Sequence, residues 1–245
     1  MPGSPERVLV TRPEPGATES ARRLEELGFI PVKLPLQEVR ALPVGADAAP
    51  EEAAAVAITS ANAIRHAPHQ LLARLAALPC FAVGESTAAI ARAGFATVVE
   101  GRGDAGALAE TVIAECPAGT VVYLCGRVRR PLFEQRLTDA GVTVVPIETY
   151  DAIVIVRTIE ETSRGIGAAP VDHALLYSVN AAEALLEMLV LPDLKDRFKN
   201  TGFACISGRV ADVLADRTSG KILVAEEPTE TALLTLLKET TDGVS

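Results

Sequence analysis

Short polar segments follow six of the apolar runs in this 245-residue sequence, and each opens a stretch of helical periodicity. They contain hydroxyl, amide, glycine or arginine residues: Thr11-Arg12, Thr59-Ser60-Ala61-Asn62, Gly84-Glu85-Ser86-Thr87, Gly126-Arg127, Ser178-Val179-Asn180 and Ser207-Gly208-Arg209. Helix N-termini present free amide donors and a partial positive charge. If several of them meet at one sheet edge, they can bind a ligand that is rich in carboxylates.

The same residues also have a purely structural interpretation. Ser60, Asn62, Ser86 and Ser178 are residue types favoured at helix N-caps, where a side-chain oxygen accepts a backbone amide hydrogen. For any single one of them, the capping role is the more common one. The functional hypothesis therefore depends on their shared position after strands.

Three other patterns are weaker candidates for chemistry. Gly101 to Gly106 spells GxGxxG, but no acidic residue follows at the ribose-binding distance, so an ordinary turn is favoured over a nucleotide site. His66 and His69 are interrupted by a proline and have no third ligand, which favours a surface pair and predicts no metal site. His173 has no GxSxG-type nucleophile, so a hydrolase triad is not supported.

Charge and composition exclude several classes of partner. The net charge of −9, the 4% aromatic content and the absence of Trp argue against a nucleic-acid binder, which needs a basic footprint and stacking platforms. Small anions or polar metabolites are the expected ligands. One dense basic cluster fits either a solvated helix start or an anion clamp. It consists of Arg127, Arg129 and Arg130.

Cellular context is indicated by what the sequence does not contain. The first residues lack the apolar core of a signal peptide, and no apolar run approaches the roughly 18 residues that span a bilayer. We therefore expect a cytoplasmic protein with no membrane partner. The four cysteines form no CxxC pair, which predicts reduced and mostly buried thiols. They are Cys80, Cys116, Cys125 and Cys205.

The elements that must position the polar segments are predicted from the apolar runs. Eight runs have strand length and β-branched bias, and they begin at Val8, Val56, Phe81, Val121, Val142, Ala174, Ala204 and Ile222. Most precede a stretch of helical periodicity. Continuous apolar strands that alternate with amphipathic helices predict an α/β fold of doubly wound parallel sheets, covered by helices on both faces. The polar segments then lie at the carboxyl edges, where such proteins bind ligands.

An internal repeat predicts two lobes. Leu24 corresponds to Leu137 at a separation of 113 residues, and Ser60-Ala61-Asn62 matches Ser178-Val179-Asn180 at a separation of 118. Residues 37–41 and Glu148 to Arg157 occupy equivalent places in the two copies, and both can run extended. We predict that they pair as a two-stranded β-ladder, a hinge that joins two compact lobes with a cleft between them.

Several of these segments resemble the signature segments of the uroporphyrinogen-III synthase family. They are LVTRP (9–13), ITSANA (58–63), FAVGEST (81–87) and ETY (148–150), and PTETALL (228–234) is similar to the family's closing segment. The resemblance extends over nearly the whole chain. It implies that residues 1–36 plus 158–245 form lobe one, that 42–147 form lobe two, and that 37–41 and 148–157 are the hinge connectors.

The resemblance also implies a function. The family acts without metal or cofactor on hydroxymethylbilane, a linear tetrapyrrole with eight carboxylates, and closes it into a ring while inverting the last pyrrole. Loss of the terminal hydroxyl gives an azafulvene, and attack by the substituted carbon of the last pyrrole gives a spiro intermediate that fragments and recloses. The resemblance further suggests a transient handover of substrate from hydroxymethylbilane synthase.

Residue roles follow from the same resemblance. Tyr150 matches the family's tyrosine near the hinge, and its phenol is expected to hydrogen-bond the departing hydroxyl. Ser60 and Thr87 match cleft positions of the family. The remaining substrate-binding candidates are the strand-end residues Thr11, Arg12, Ala61, Asn62, Ser86, Gly126, Arg127, Ser178, Val179, Asn180, Ser207 and Gly208.

Two segments depart from the family pattern. Ser207 to Val210 lacks two hydroxyls of the usual second copy and carries Arg209 instead, and Tyr177 to Asn180 is also atypical. These departures leave open a divergent paralogue. A non-catalytic two-lobed protein that closes on a small anionic metabolite has the same hinge and donor loops. An NADP-linked oxidoreductase that uses Gly101 to Gly106 and Arg127 is the third alternative.

Overall fold

A computed structural model describes residues 4–242, with side chains described through residue 239. The chain divides into two compact units, each with its own sheet. Unit one comprises the chain up to Glu38 and from Ile153 onward, and unit two is the continuous segment Val39–Ala152. The chain passes between units inside the two segments that the sequence predicts to be connectors.

Unit one contains a five-stranded sheet flanked by helices. In chain order its elements are β1 (Arg7–Val10), α1 (Gly16–Glu26), β2 (Ile30–Lys33), α7 (Ile159–Ile166), β9 (His173–Leu176), α8 (Val179–Leu189), α9 (Pro192–Lys195), a 3-10 turn (Asp196–Phe198), β10 (Gly202–Cys205), α10 (Gly208–Leu214), β11 (Ile222–Val224) and α11 (Glu230–Asp242). The strand order is β11-β10-β9-β1-β2, and every pair is parallel.

Unit two contains a six-stranded sheet. Its elements are β3 (Gln37–Ala41), β4 (Ala53–Ile58), α2 (Ala61–Arg65), α3 (His69–Leu75), β5 (Pro79–Ala82), α4 (Glu85–Ala91), β6 (Thr97–Glu100), α5 (Ala105–Glu115), β7 (Thr120–Gly126), α6 (Leu132–Asp139) and β8 (Thr143–Val154). The strand order is β3-β8-β7-β4-β5-β6, and the pairs from β8 to β6 are parallel.

The parallel α/β class predicted from the sequence is confirmed. Each sheet is buried on both faces because alternate residues of one strand enter opposite cores. In unit one, Leu9 joins the core on one face and Val8 the core on the other. In unit two, Val56 and Ala57 likewise join the cores on opposite faces of the sheet. This two-sided burial explains why the strands are continuous apolar runs and not alternating ones.

One strand differs from its prediction. The apolar run that begins at Val142 and the second connector, predicted as separate segments, form a single strand of 12 residues, β8. It pairs with β7 from Thr143 to Tyr150. It has β3 as its other neighbour in the sheet, and Leu42 donates its backbone N–H to the carbonyl of Thr149 across 2.9 Å. The neighbouring β3 gives the strand a partner beyond the end of β7.

Candidate active site

The carboxyl edge of the unit-two sheet brings several predicted residues to adjacent strand ends. Because β7 lies between β8 and β4, and β5 follows β4, the segments after β4, β5 and β7 succeed one another along this edge. Ser60, Gly84 and Gly126 each lie where a strand of this group ends. Tyr150 is at the same level, because it is the register partner of Gly126.

A β-bulge sets the direction of Tyr150. Cys125 pairs with Glu148, but the next residue of β7, Gly126, pairs with Tyr150, so Thr149 is an extra residue in β8. Such a bulge re-aims the side chain that follows it. The buried Thr149 hydroxyl anchors the bulge by donating to the carbonyl of Ala63 at 2.9 Å. Beyond the bulge, the Arg127 amide donates to the Tyr150 carbonyl across 2.9 Å.

The Tyr150 phenol lies against Gly126, Ser60 and His66. The Ser60 hydroxyl lies near the phenol, and the Tyr150 ring centroid is 6.2 Å from that of His66. Burial raises the pKa of Tyr150 above its usual value, a shift that the Ser60 hydroxyl partly offsets. The phenol therefore stays protonated at neutral pH and can act as a hydrogen-bond or proton donor.

Around Tyr150, the predicted strand-end residues have mixed roles. Ser60 is the N-cap of α2, and its hydroxyl accepts from the Asn62 amide at 3.3 Å, as its cap interpretation predicts. Asn62 is half-buried and accepts from Arg65. Ala61 is the first residue of α2, a position whose amide has no partner within an α-helix. In the α4 segment, Ser86 is exposed and Thr87 is buried.

The basic cluster at the end of β7 is paired with carboxylates. Arg127, whose side chain is 54% exposed, lies 3.5 Å from Glu148 and 3.2 Å from Asp151. Arg129 is more buried and contacts Glu134 at 2.6 Å and Glu148 at 2.8 Å. These hydrogen bonds raise the pKa of Arg129. A ligand carboxylate must compete with protein carboxylates for Arg127, so this cluster is a weaker anion clamp than its composition indicates.

In unit one, the residues after β1 are engaged within the unit. Thr11 is fully buried, and its hydroxyl donates to the carbonyl of Leu175 at 2.6 Å. Arg12 lies 4.6 Å over the Tyr177 ring and 3.1 Å from Glu230. Both residues are predicted from the sequence to bind substrate, but the polar atoms of their side chains form contacts within unit one.

Glu230 is the centre of this unit-one network. Arg12 and Arg23 form ion pairs with its carboxylate, and Ser20 and Tyr177 donate hydrogen bonds to it. Its side chain is only 13% exposed. Burial is the main cause that raises the pKa of Tyr177, and the Glu230 charge raises it further. We refer to these five residues as the Glu230 network.

The remaining unit-one candidates lie at the ends of β9 and β10, which are adjacent strands. Ser178 caps α8 by accepting from the Ala181 amide at 3.1 Å, and it donates to the buried Gln37 at 2.7 Å. Val179 and Asn180, which follow it, are half-buried. Ser207 precedes α10 without a side-chain capping bond, and Gly208 is exposed in open space.

The structure argues against a nucleotide at the GxGxxG segment. The Asp104 carboxylate accepts from the amides of Gly106 and Ala107, at 2.7 and 2.8 Å. It therefore occupies the N-terminus of α5, where the fingerprint would bind a pyrophosphate.

Among the described residues, no group of three or more His, Cys, Asp or Glu side chains is arranged to hold a metal ion. Within residues 4–242, no helix is long and apolar enough to cross a bilayer.

Two residues of importance were missed from the sequence. The predicted surface pair holds for His69, which is exposed, but is wrong for His66, which packs against Tyr150. Burial is the main cause that lowers the pKa of His66, so its imidazole is neutral at physiological pH. Glu230 lies within the PTETALL segment, where no role is predicted for it. An acidic residue in the first turn after the last strand was the available signal, and its arginine partners are remote in sequence.

Comparison with known proteins places the chain in a family. Residues 18–235 match the family described as uroporphyrinogen-III synthase HemD. A uroporphyrinogen-III synthetase structure from Helicobacter pylori is similar with a TM-score of 0.67 and 18% identity, over 96% of this chain and 99% of that one. A mutant synthase from Thermus thermophilus gives 0.55 and 19%, over 97% and 99%. No curated protein sequence matches significantly. The structural likenesses show a shared fold, and the match over most of the sequence shows that the chain belongs to the uroporphyrinogen-III synthase family.

Proposed function

We propose that Tyr150 is the catalytic proton donor of the uroporphyrinogen-III synthase reaction in this chain. In keeping with its family, the protein is an enzyme that cyclises hydroxymethylbilane with loss of water and inversion of the last pyrrole. The observation that carries the proposal is the placement of the phenol. It lies at the carboxyl edge of the unit-two sheet, next to Ser60, and burial keeps it protonated.

The step assigned to Tyr150 is the loss of the terminal hydroxyl. The phenol donates its proton to that hydroxyl as the C–O bond breaks, and water leaves with the bonding electron pair. Electrons from the pyrrole form the azafulvene, and the pyrrole N–H returns a proton to the phenolate, so the net loss is one water. Carbon–carbon bond formation uses pyrrole electrons, which leaves the protein to orient the chain and stabilise charge.

We propose that backbone amides at strand ends bind the substrate carboxylates. In unit two the binding residues are Ser60, Ala61, Asn62, Ser86, Thr87, Gly126 and Arg127, and in unit one they are Ser178, Val179, Asn180, Ser207 and Gly208. Amide donors suit eight carboxylates in a protein whose net charge is −9. Thr11 and Arg12 complete the unit-one set through their backbone amides, because their polar side-chain atoms have internal partners.

The domain organisation is proposed as two repeats, lobe one being 1–36 plus 158–245 and lobe two 42–147, joined by a hinge of 37–41 and 148–157. The unit boundaries after Glu38 and Ala152 support these connectors, since both lie within the ranges. A fragment that contains residues 37–157 is expected to fold alone with a cooperative transition. Two results together would argue against two lobes: the full-length protein unfolds in a single transition, and the fragment does not form a stable fold.

Two further features of the function are proposed from the family reaction. The substrate is a reactive bilane, so its transient handover from hydroxymethylbilane synthase would limit the competing spontaneous closure. A cytoplasmic location follows from the same proposal. Cross-linking of the two purified enzymes during turnover tests the handover. If no cross-linked complex forms at any protein concentration, the handover proposal is wrong.

The decisive experiment is an isomer assay with freshly generated hydroxymethylbilane. Spontaneous closure leaves the last ring uninverted and gives the type I isomer, so an active enzyme must divert the substrate to type III. We expect type III with no added metal, nucleotide or other cofactor, measured by chromatography of the oxidised porphyrins. Type I at the no-enzyme level, with folded protein in excess, would contradict the function and direct attention to Ser207 to Val210. Tight bilane binding without turnover would indicate a binding protein.

A further inference from the structure

We propose that Gly126 is a positioning residue that acts through Tyr150. The missing β-carbon at the end of β7 allows the phenol to lie across this strand end and reach Ser60. The inference deepens the proposed function and rests on it, because the rate effect expected at Gly126 requires Tyr150 to be catalytic. It also changes the role of Gly126 from one substrate-binding amide among several to the residue that fixes the position of the proton donor.

The contact at Gly126 is the first observation. A β-carbon built there would lie 2.7 Å from Cζ, 2.9 Å from Cε2 and 3.0 Å from the hydroxyl oxygen of Tyr150, its three nearest atoms. Normal carbon contacts are about 3.5–4.0 Å, so the ring would have to move by about 1 Å. Gly126 is buried, and its φ is outside the left-handed region that favours glycine. The space that it leaves to Tyr150, and not backbone strain, therefore explains the need for glycine.

The fixed backbone around the ring is the second observation. The bulge makes Gly126 the register partner of Tyr150, and the hydroxyl of Thr149 ties the extra residue to Ala63. The Arg127 amide fixes the Tyr150 carbonyl. Because the backbone is held on both sides of Tyr150, a β-carbon at position 126 is expected to displace the ring, which is the more mobile part.

A displaced ring would lose its position beside Ser60 and its place in the substrate geometry. Misplacement of a catalytic group by about 1 Å can cost about 10²-fold in rate. We therefore expect Gly126→Ala to lower kcat by about 10- to 100-fold with a much smaller change in KM. Removal of a substrate-binding amide would instead raise KM.

A double-mutant cycle tests the inference. Gly126→Ala, Tyr150→Phe and the double variant are compared with wild type, with Gly94→Ala as control, because a β-carbon at Gly94 meets only Ala91 at 4.0 Å. If Gly126 acts through Tyr150, alanine at position 126 costs little once Tyr150 is phenylalanine. An equal loss from Gly126→Ala in both backgrounds would overturn the inference, and so would a fully active Gly126→Ala.

A second readout does not depend on activity. The chain has three tyrosines, so subtraction of the Tyr150→Phe ultraviolet titration from the parent titration isolates the phenol of Tyr150. Gly126→Ala should move this titration to lower pH, because the displaced ring is less buried and burial, the main cause of the raised pKa, outweighs the opposite contribution of Ser60. The groups near the phenol, His66 and Cys125, are unchanged. A titration identical to wild type would overturn the inference.

The two readouts separate the two proposals. A fully active Tyr150→Phe with a shifted phenol titration in Gly126→Ala would reject the catalytic role and keep the positioning contact. If Gly126→Ala does not fold, Thr149→Val replaces it in the cycle, because it removes the bond that anchors the bulge and adds no bulk at the phenol. A loss confined to the Tyr150 background then supports the inference, and an equal loss in both backgrounds overturns it.

Discussion

Two tyrosines at the sheet edges differ in what surrounds their hydroxyls. In unit two, the side chain that lowers the pKa of Tyr150 is the neutral hydroxyl of Ser60. In unit one, the Tyr177 hydroxyl lies 3.1 Å from the Glu230 carboxylate and 3.2 Å from Ser20, with Arg12 over its ring. Burial raises the pKa of both phenols. Only the first is left able to serve a ligand, because the second is committed to a charged internal network.

The arginines at the two edges make the same point. The Arg12 side chain is 30% exposed and pairs with Glu230, which is 13% exposed. The Arg127 side chain is 54% exposed and pairs with two carboxylates. A strand-end position therefore does not by itself identify a binding residue. What distinguishes the two edges is how deeply the polar group and its internal partner are buried, and the following experiments test that distinction.

The largest effect is expected at Tyr150. Tyr150→Phe should reduce the rate of type III formation by about 10² or more, since it removes one positioned proton donor. Its thermal midpoint should change little. Tyr177→Phe should retain most of the activity and instead lose about 1 kcal/mol of stability, because one buried hydrogen bond is lost. Equal activity losses in the two variants would remove the proposed difference between the edges.

The next effect concerns the stability of unit one. Glu230→Ala should lower the free energy of unfolding by about 2 kcal/mol, because it leaves Arg12 and Arg23 without their shared carboxylate, a cost moderated by their partial exposure. Denaturant unfolding measures this change. Glu19→Ala, at an exposed carboxylate on α1 that pairs with Arg22 and Arg23, is the control and should cost about 0.5 kcal/mol or less. A Glu230→Ala protein as stable as this control would show that the network is not structural.

A smaller effect should distinguish amide donors from the exposed arginine. Ala61→Pro removes one amide at the first position of α2, where proline is compatible with a helix, and should raise KM about 10-fold. Arg127→Ala should raise KM only about twofold, because the arginine is exposed and already paired. If Arg127→Ala abolished binding and Ala61→Pro did nothing, the amide-based binding proposal would be wrong.

The smallest effect is a dependence of stability on alkaline pH. Tyr177 has a folded-state pKa raised above the ordinary 10.0, so the unfolded chain releases this proton first as pH rises. Its contribution is complete below pH 10 and is lost above it, with a slope of up to about 1.4 kcal/mol per pH unit. Tyr177→Phe should flatten the decline in stability above pH 10 relative to wild type. An identical decline in both proteins would mean that Tyr177 does not cause it.

Local patterns were enough to predict much of the fold. The runs at Val8, Val56 and Ala174 became buried parallel strands, because a strand covered on both faces must be apolar at consecutive positions. Ser60 and Ser178 were recognisable as caps, because capping depends on residues only a few positions apart. The motifs that resemble the family were likewise short and contiguous.

Sequence by itself thus determined the α/β class, the family and the identity of the strand-end segments, all of which are encoded in local periodicity or short motifs. The tertiary structure decided which polar groups are already occupied. Ser20 and Glu230 meet although they are 210 residues apart, and the Thr149 bond that anchors the bulge spans 86 residues. A bulge of one residue reverses the direction of a side chain, so the orientation of Tyr150 over Gly126 depends on strand register, which no local pattern specifies.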